Sequence, residues 1–230
     1  MEQTKTQVRE AVMPAAELKW TRAQMAARLA SDVQEGTIMN LGVGLPTLVG
    51  NHLPKDREIL IQVENGILGA GPNAPKGEED WDLVNAGKQA IQLLPGASLF
   101  HHADSFAMMR GGHIDICVIG AYQVALNGDL ANWSTGEPGA IPAIGGAMDL
   151  AAGAKELWVL MEHSTKSGES KLVERCTYPL TGLACVTRIY SDLAVIALKD
   201  GLATVLDIVP GMSFAELQKR TAVPLVQADG

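Results

Sequence analysis

Cysteine is scarce: Cys117, Cys176 and Cys185 are the only three in 230 residues, an odd number with no CxxC pair. That excludes a disulfide-stapled scaffold and points to a reduced, cytosolic protein. Long apolar runs are also missing. No stretch approaches the roughly 20 residues needed to cross a bilayer, so no membrane partner is expected. The first 20 residues carry Glu2, Lys5, Arg9, Glu10, Glu17 and Lys19 around no apolar centre, so no secretory signal is expected either. Positive charge is in deficit, with 18 Lys and Arg against 26 Asp and Glu, a net charge of −8. Such a balance argues against a nucleic-acid or anionic-membrane surface. Aromatic residues make up only 4%, which suits a compact enzyme core better than an aromatic-rich recognition surface. No HExxH motif occurs, and no His or Cys spacing is typical of zinc, so no metal is expected. The run Glu78, Glu79, Asp80 and Asp82 reads as a solvated acidic face.

What is present is apolar residue, 47% of the chain, enough for one substantial core. A single α/β domain over residues 1–230 is expected, with residues 1–14 a flexible N-terminal arm. Thr21-Arg22-Ala23-Gln24 has the spacing of a capping box, and Met25, Ala26, Leu29 and Val33 then recur at helical intervals. Thr37–Leu41 reads as a strand, and Leu45–Leu53 as a helix with Pro46 in its first turn. Ile114–Gly120 and Lys155–Met161 read as further buried strands, and Asn127-Gly128 as a hairpin turn. Leu193–Leu198 and Leu202–Val209 flank Lys199-Asp200-Gly201, a C-terminal hairpin, so the sheet is mixed. Ser213-Phe214-Ala215-Glu216 repeats the capping-box pattern before a last short helix.

The chain is organised around Val63-Glu64-Asn65-Gly66-Ile67-Leu68-Gly69-Ala70-Gly71-Pro72. An apolar run, Ile59–Val63, reads as a strand buried on both faces, and a carboxylate stands where it ends. Open α/β folds place ligands at the carboxyl ends of their strands. Glu64, on a backbone loosened by Gly66, Gly69 and Gly71, is well placed to meet a substrate; equally, the glycines could serve only a turn. Two further glycine turns, Gly42-Val43-Gly44 and Gly145-Gly146, could offer free backbone N–H groups to an anion. Neither glycine pattern fits a dinucleotide fingerprint: Thr47 stands where a third glycine is needed, and Pro72 interrupts the other.

Four words taken in order, Asn40-Leu41-Gly42-Val43-Gly44-Leu45-Pro46-Thr47, Gln62-Val63-Glu64-Asn65-Gly66, Arg110-Gly111-Gly112-His113-Ile114-Asp115 and Gly145-Gly146-Ala147-Met148-Asp149-Leu150, closely resemble the B-type subunits of the 3-oxoacid coenzyme A-transferases, family I CoA-transferases. Gly128-Asp129-Leu130-Ala131-Asn132-Trp133 adds to the likeness, which runs from about Leu18 to about Thr221. The resemblance implies an open, mostly parallel mixed α/β sheet with helices on both faces. It implies Glu64 as catalytic nucleophile, with Asn65, Gly66, Gly145, Gly146 and Asn40 setting its position or supplying oxyanion contacts. Coenzyme A would be a substrate, with no cofactor. The partner would be the homologous A-type CoA-transferase subunit, in an A2B2 heterotetramer with the site at the junction of the two types.

A Glu at its ordinary pKa near ~4.3 is ionised at neutral pH and attacks a thioester without a base, which agrees with that role. The family implies succinyl-CoA as donor and a 3-oxoacid as acceptor. The words His101–Arg110 and Lys166–Lys171 resemble the 3-oxoadipate enzymes more than the acetoacetate ones. Acetoacetate as acceptor, or an acyl-CoA hydrolase on the same fold, are the alternatives. A dicarboxylate acceptor would need an extra cation, which no motif in the sequence identifies.

Overall fold

A computed structural model describes residues 18–137, 139 and 144–228. The expected arm over 1–14 lies outside the described residues, as does part of the turn-rich segment 134–142. In chain order the elements are α1 (Arg22–Asp32), β1 (Ile38–Leu41), a 3₁₀ helix (Leu45–Asn51), β2 (Leu60–Val63), β3 (Ile67–Asn73), β4 (Ile91–Leu99), α2 (His102–Arg110) and β5 (Ile116–Ile119). Then come β6 (Gln123–Ala125), β7 (Leu130–Ala131), α3 (Ala147–Gly153), β8 (Glu156–Leu160), β9 (Leu172–Val173), β10 (Val186–Tyr190), β11 (Ala194–Lys199), β12 (Leu202–Ile208), α4 (Phe214–Lys219) and β13 (Leu225–Gln227).

Ten strands form one sheet in the order β13-β12-β11-β10-β8-β5-β1-β2-β3-β4. Its centre, β10-β8-β5-β1-β2, is wholly parallel, and antiparallel pairs enter on either side of that centre. The centre of the sheet is buried on both faces, which its side-chain alternation records. Cys117 and Ile119 of β5 and Leu157 and Val159 of β8 pack with Met109 of α2, Leu150 of α3 and Leu217 of α4. Their neighbours Ile116, Val118, Trp158 and Leu160 point the other way, onto Met25 and Leu29 of α1 and Val49 of the 3₁₀ helix. Helices therefore cover both faces. A smaller sheet, β7-β6-β9, is hydrogen-bonded separately, and its Val124, Leu130 and Leu172 pack into the same core as β5 and β8.

Both capping boxes form. Thr21 accepts from the Gln24 amide and Gln24 reaches back to Thr21; Ser213 and Glu216 do the same for α4. The C-terminal hairpin forms at Asp200 and Gly201, both at positive φ.

One expectation is refined and one corrected. The helix expected over Leu45–Leu53 forms with Pro46 in its first turn, but it is of the 3₁₀ type and ends at Asn51. Pro46 supplies no amide, and Thr47 closes an i→i+3 bond to the Gly44 carbonyl, so the chain tightens instead of opening to the α pitch. Gly69, Gly71 and Pro72 do not loosen a loop: they lie in β3, paired to β4. A side chain on Gly69 would meet Ala97 at 3.1 Å, and one on Gly71 the Gln92 carbonyl at 3.0 Å. These glycines let two strands approach closely.

Candidate functional site

The strand order reverses between β1 and β5. From β1 the chain adds β2 on one side, and from β5 it adds β8 and β10 on the other. Open α/β sheets form a crevice at the carboxyl ends of such a pair. Here a cleft of ≈ 560 Å³ opens, lined by Leu41, Gly42 and Val43 at the end of β1, Ile119 and Gly120 at the end of β5, Glu64 after β2, and Gly145 and Gly146 before α3. A neighbouring hollow of ≈ 450 Å³ shares Gly120, Ala121 and Lys171 with it and continues past Gly44 and Leu45.

Glu64 opens the tight turn joining β2 to β3, closed by the Gly66 amide donating to the Val63 carbonyl at 3.0 Å. Gly66 has φ +107°, and a side chain there would run into the Phe100 carbonyl oxygen. Only glycine fits both constraints. The Gly66 carbonyl accepts from the Phe100 amide at 2.9 Å, which ties the turn to the start of α2. Below the turn a buried polar chain fixes the end of β2. Asn40 Nδ2 donates to Gln62 Oε1 at 2.6 Å and to the Gln62 carbonyl at 3.1 Å. The Gln62 side-chain amide donates to Ser105 Oγ, which in turn donates to the Val63 carbonyl at 3.3 Å. Every buried side-chain polar atom among the described residues has a partner.

The sequence-derived site residues divide accordingly. Glu64, Gly145, Gly146 and Asn40 all line the one cleft. Glu64 and Gly146 touch: a Cβ on Gly146 would lie 2.7 Å from Glu64 Oε2 and 3.0 Å from Phe106 Cζ. Asn40 has given its amide hydrogens to Gln62, so it positions the strand end. Asn65 is exposed and donates to the Val84 carbonyl at 2.9 Å, holding the following loop against the turn. Gly66 is structural to the turn itself. Asp149, from the same word as Gly145 and Gly146, pairs with Arg110 at 2.7 Å and joins α3 to α2. His113 is exposed and does not line the cleft.

Of two further features, the sequence anticipates the first, the backbone N–H groups of the Gly42-Val43-Gly44 turn, and misses the second, a lysine. The amides of Val43, Gly44 and Leu45 donate to no protein group among the described residues. Gly44, at φ +92° and ψ −130°, turns the chain at the rim of the cleft. Lys171, just before β9, is the one cation lining the cleft among the described residues, as Glu64 is the one carboxylate. It closes the Lys166–Lys171 word noted in the sequence, but nothing in that polar turn marks its last residue as facing a cleft. Cys117 lies beneath the site in β5; burial pushes its thiol far up, and the negative charge of Glu64 adds to the shift. No group of three or more His, Cys, Asp or Glu is gathered for a metal among the described residues, and none of their helices is long and apolar enough to cross a membrane.

Residues 22–220 match the family model described as Coenzyme A transferase. The chain is 58% identical over 209 residues to the B-type subunit of 3-oxoadipate CoA-transferase from Pseudomonas putida, covering 91% of this chain and 98% of that one. It is 54% identical over 210 residues to the protein of the same description in Acinetobacter baylyi, covering 91% and 97%. In fold it is similar to an acyl-CoA transferase of Escherichia coli O157:H7, with a TM-score of 0.70 at 17% identity over 90% of this chain and 42% of that one.

Proposed function

This chain belongs to the coenzyme A transferase family, and from that premise we propose that it is the B-type part of a two-part CoA-transferase and moves coenzyme A from succinyl-CoA to 3-oxoadipate through a covalent thioester on Glu64. The observation that carries the reading is the placement of Glu64: the one carboxylate of the cleft among the described residues, held at a strand end and pressed against Gly146.

The Glu64 carboxylate attacks the thioester carbonyl of the donor. The C–S bond breaks, coenzyme A leaves as thiolate, and an acyl-glutamyl anhydride remains. The thiolate then attacks the Glu64 carbonyl. The donor acid departs as carboxylate, and Glu64 carries coenzyme A as a thioester. An acceptor carboxylate runs the two steps in reverse, which gives ping-pong kinetics. No net proton moves, which suits a nucleophile with no basic partner beside it.

Each attack passes through a tetrahedral oxyanion, and one fixed N–H donor aimed at it is worth about 3 kcal/mol. The open amides of Val43 and Gly44 and the backbone of Gly145 and Gly146 are the groups suited to that role. Gly146 also clears the space the carboxylate occupies. Asn40, Gln62 and Ser105 keep the strand end from moving, which protects the attack geometry. Coenzyme A enters as substrate, with no further cofactor. The relatives bear the designation of the B-type half, and the homologous A-type half in an A2B2 assembly completes this reading. A reducing cytoplasm suits the three free thiols.

Mass spectrometry of the chain after exposure to succinyl-CoA without acceptor, alone and mixed with its A-type partner, tests the proposal. The expected result is a coenzyme A adduct on Glu64 that appears only with the partner and is lost in Glu64→Gln. Free coenzyme A accumulating without an adduct would identify a hydrolase instead. Neither adduct nor turnover, with a functional partner present, would overturn the transferase mechanism.

A further inference from the structure

Lys171 faces the cleft but takes no part in the chemistry above. Its backbone is held firmly. The amide donates to the His163 carbonyl at 2.9 Å, and the buried His163 ring is clamped between Ser191 Oγ at 3.0 Å and Thr221 Oγ1 at 2.9 Å. The residue that follows begins β9, paired in parallel to β6. The side chain, by contrast, is poorly engaged. Among the described residues its ammonium has one acceptor, the Ala121 carbonyl at 3.5 Å, at the limit of a hydrogen bond. Glu162, whose charge acts on it, is already bound to Arg22 at 2.9 Å. The lysine is half-buried, and that burial lowers its pKa against the opposing pull of Glu162 and Asp192. A cation with three donors, partly stripped of water and weakly bonded, is prepared for an anionic ligand.

Its position names the ligand. Lys171 and Glu64 are the only charged side chains among the described residues of the cleft. While the acyl group is bonded to Glu64 as the anhydride it is neutral at its reacting end, so at that stage the acyl group offers Lys171 an anion only if it carries one at its distal end. We propose that Lys171 Nζ receives the distal carboxylate of a dicarboxylic acyl group while the other end reacts at Glu64. Lys171 is then the residue that selects dicarboxylic over monocarboxylic acids. A monocarboxylic acyl group leaves the ammonium without its partner, whereas a dicarboxylic one forms a charge-assisted hydrogen bond away from bulk water. The inference rests on Glu64 as the covalent nucleophile.

The test is the first half-reaction in the complex with the A-type partner: the rate of adduct formation on Glu64 from succinyl-CoA and from acetoacetyl-CoA, for wild type, Lys171→Met and Lys171→Arg. Wild type should prefer the dicarboxylic thioester. Lys171→Met should reduce that preference about 10- to 100-fold, the range for one hydrogen bond to a charged group, and Lys171→Arg should recover part of it. The rate with the monocarboxylic thioester reports whether the variant is folded and assembled. Equal slowing with both thioesters, or an unchanged preference, would overturn the assignment. Absence of any adduct in wild type with either thioester is the distinct failure of the covalent reading, and the inference would fall with it.

Discussion

Replacing Gly146 by alanine separates the requirements of the fold from those of the chemistry. Gly146 has φ −82° and ψ 5°, a conformation alanine adopts freely, so the backbone carries no strain. The new methyl would stand 2.7 Å from Glu64 Oε2, where ordinary contact begins at 3.4 Å. The carboxylate must therefore retreat by roughly 0.7 Å, and the Phe106 ring, 3.0 Å away, must give slightly. Both are free ends of side chains, so the cost to folding sits near the bottom of the overpacking range, about 1 kcal/mol. In a chain of this size that lowers Tm by about 2–4 °C. The chemistry is less tolerant: displacing a nucleophile by up to 1 Å costs about 100-fold in rate. Gly66→Ala is the contrast. There φ is +107° and the obstacle is the Phe100 backbone carbonyl, which cannot swing away, so stability should fall by about 2–5 kcal/mol together with activity. The assays are thermal melting and the rate of adduct formation from succinyl-CoA in the complex with the A-type partner. A Gly146→Ala protein with the wild-type rate would refute the reasoning. So would one whose melting temperature falls as far as that of Gly66→Ala.

Ser105→Ala removes the acceptor of the buried Gln62 amide and the clasp on the Val63 carbonyl. A loss of about 1–3 kcal/mol is expected in urea unfolding, with a slower rate because the strand end bearing Glu64 is freed. His163, whose pKa burial pushes down to about 4 against a weaker opposing effect of Asp192, makes stability depend on acid. The unfolded chain takes up this proton near pH ~6.5 and the folded one only near 4, so the contribution is complete above pH ~6.5 and is lost as pH falls through that window, up to about 3 kcal/mol. His163→Asn should flatten the corresponding part of a pH series of denaturant melts; an unchanged slope would refute the role. Cys117, fully buried with its thiol pushed far up, should resist iodoacetamide in the native protein and react only on unfolding, as read by peptide mapping.

Much of the fold is written locally. Thr21 and Ser213 find their partners three residues away, and Asp200-Gly201 turns a hairpin between adjoining strands, so neighbouring residues alone suffice. Glu64 is legible for the same reason, as a carboxylate ending an apolar strand before a glycine. The pairing of β3 with β4 is not. Gly69 and Gly71 look like turn residues until a second strand, itself containing Pro95 and Gly96, lies against them. Asn40 resembles a cleft donor until the parallel register sets it opposite Gln62, which takes its amide.

The amino-acid sequence by itself determined the capped helices, the central buried strands, the C-terminal hairpin, the family and the residue that ends β2, because each is carried by contiguous residues. Only the tertiary structure decided what surrounds that residue. Gly146 reaches Glu64 from the start of α3, and Lys171 enters the cleft from a separate small sheet. Crossovers between parallel strands bring such distant segments together, and their packing, rather than any local pattern, sets which side chains meet.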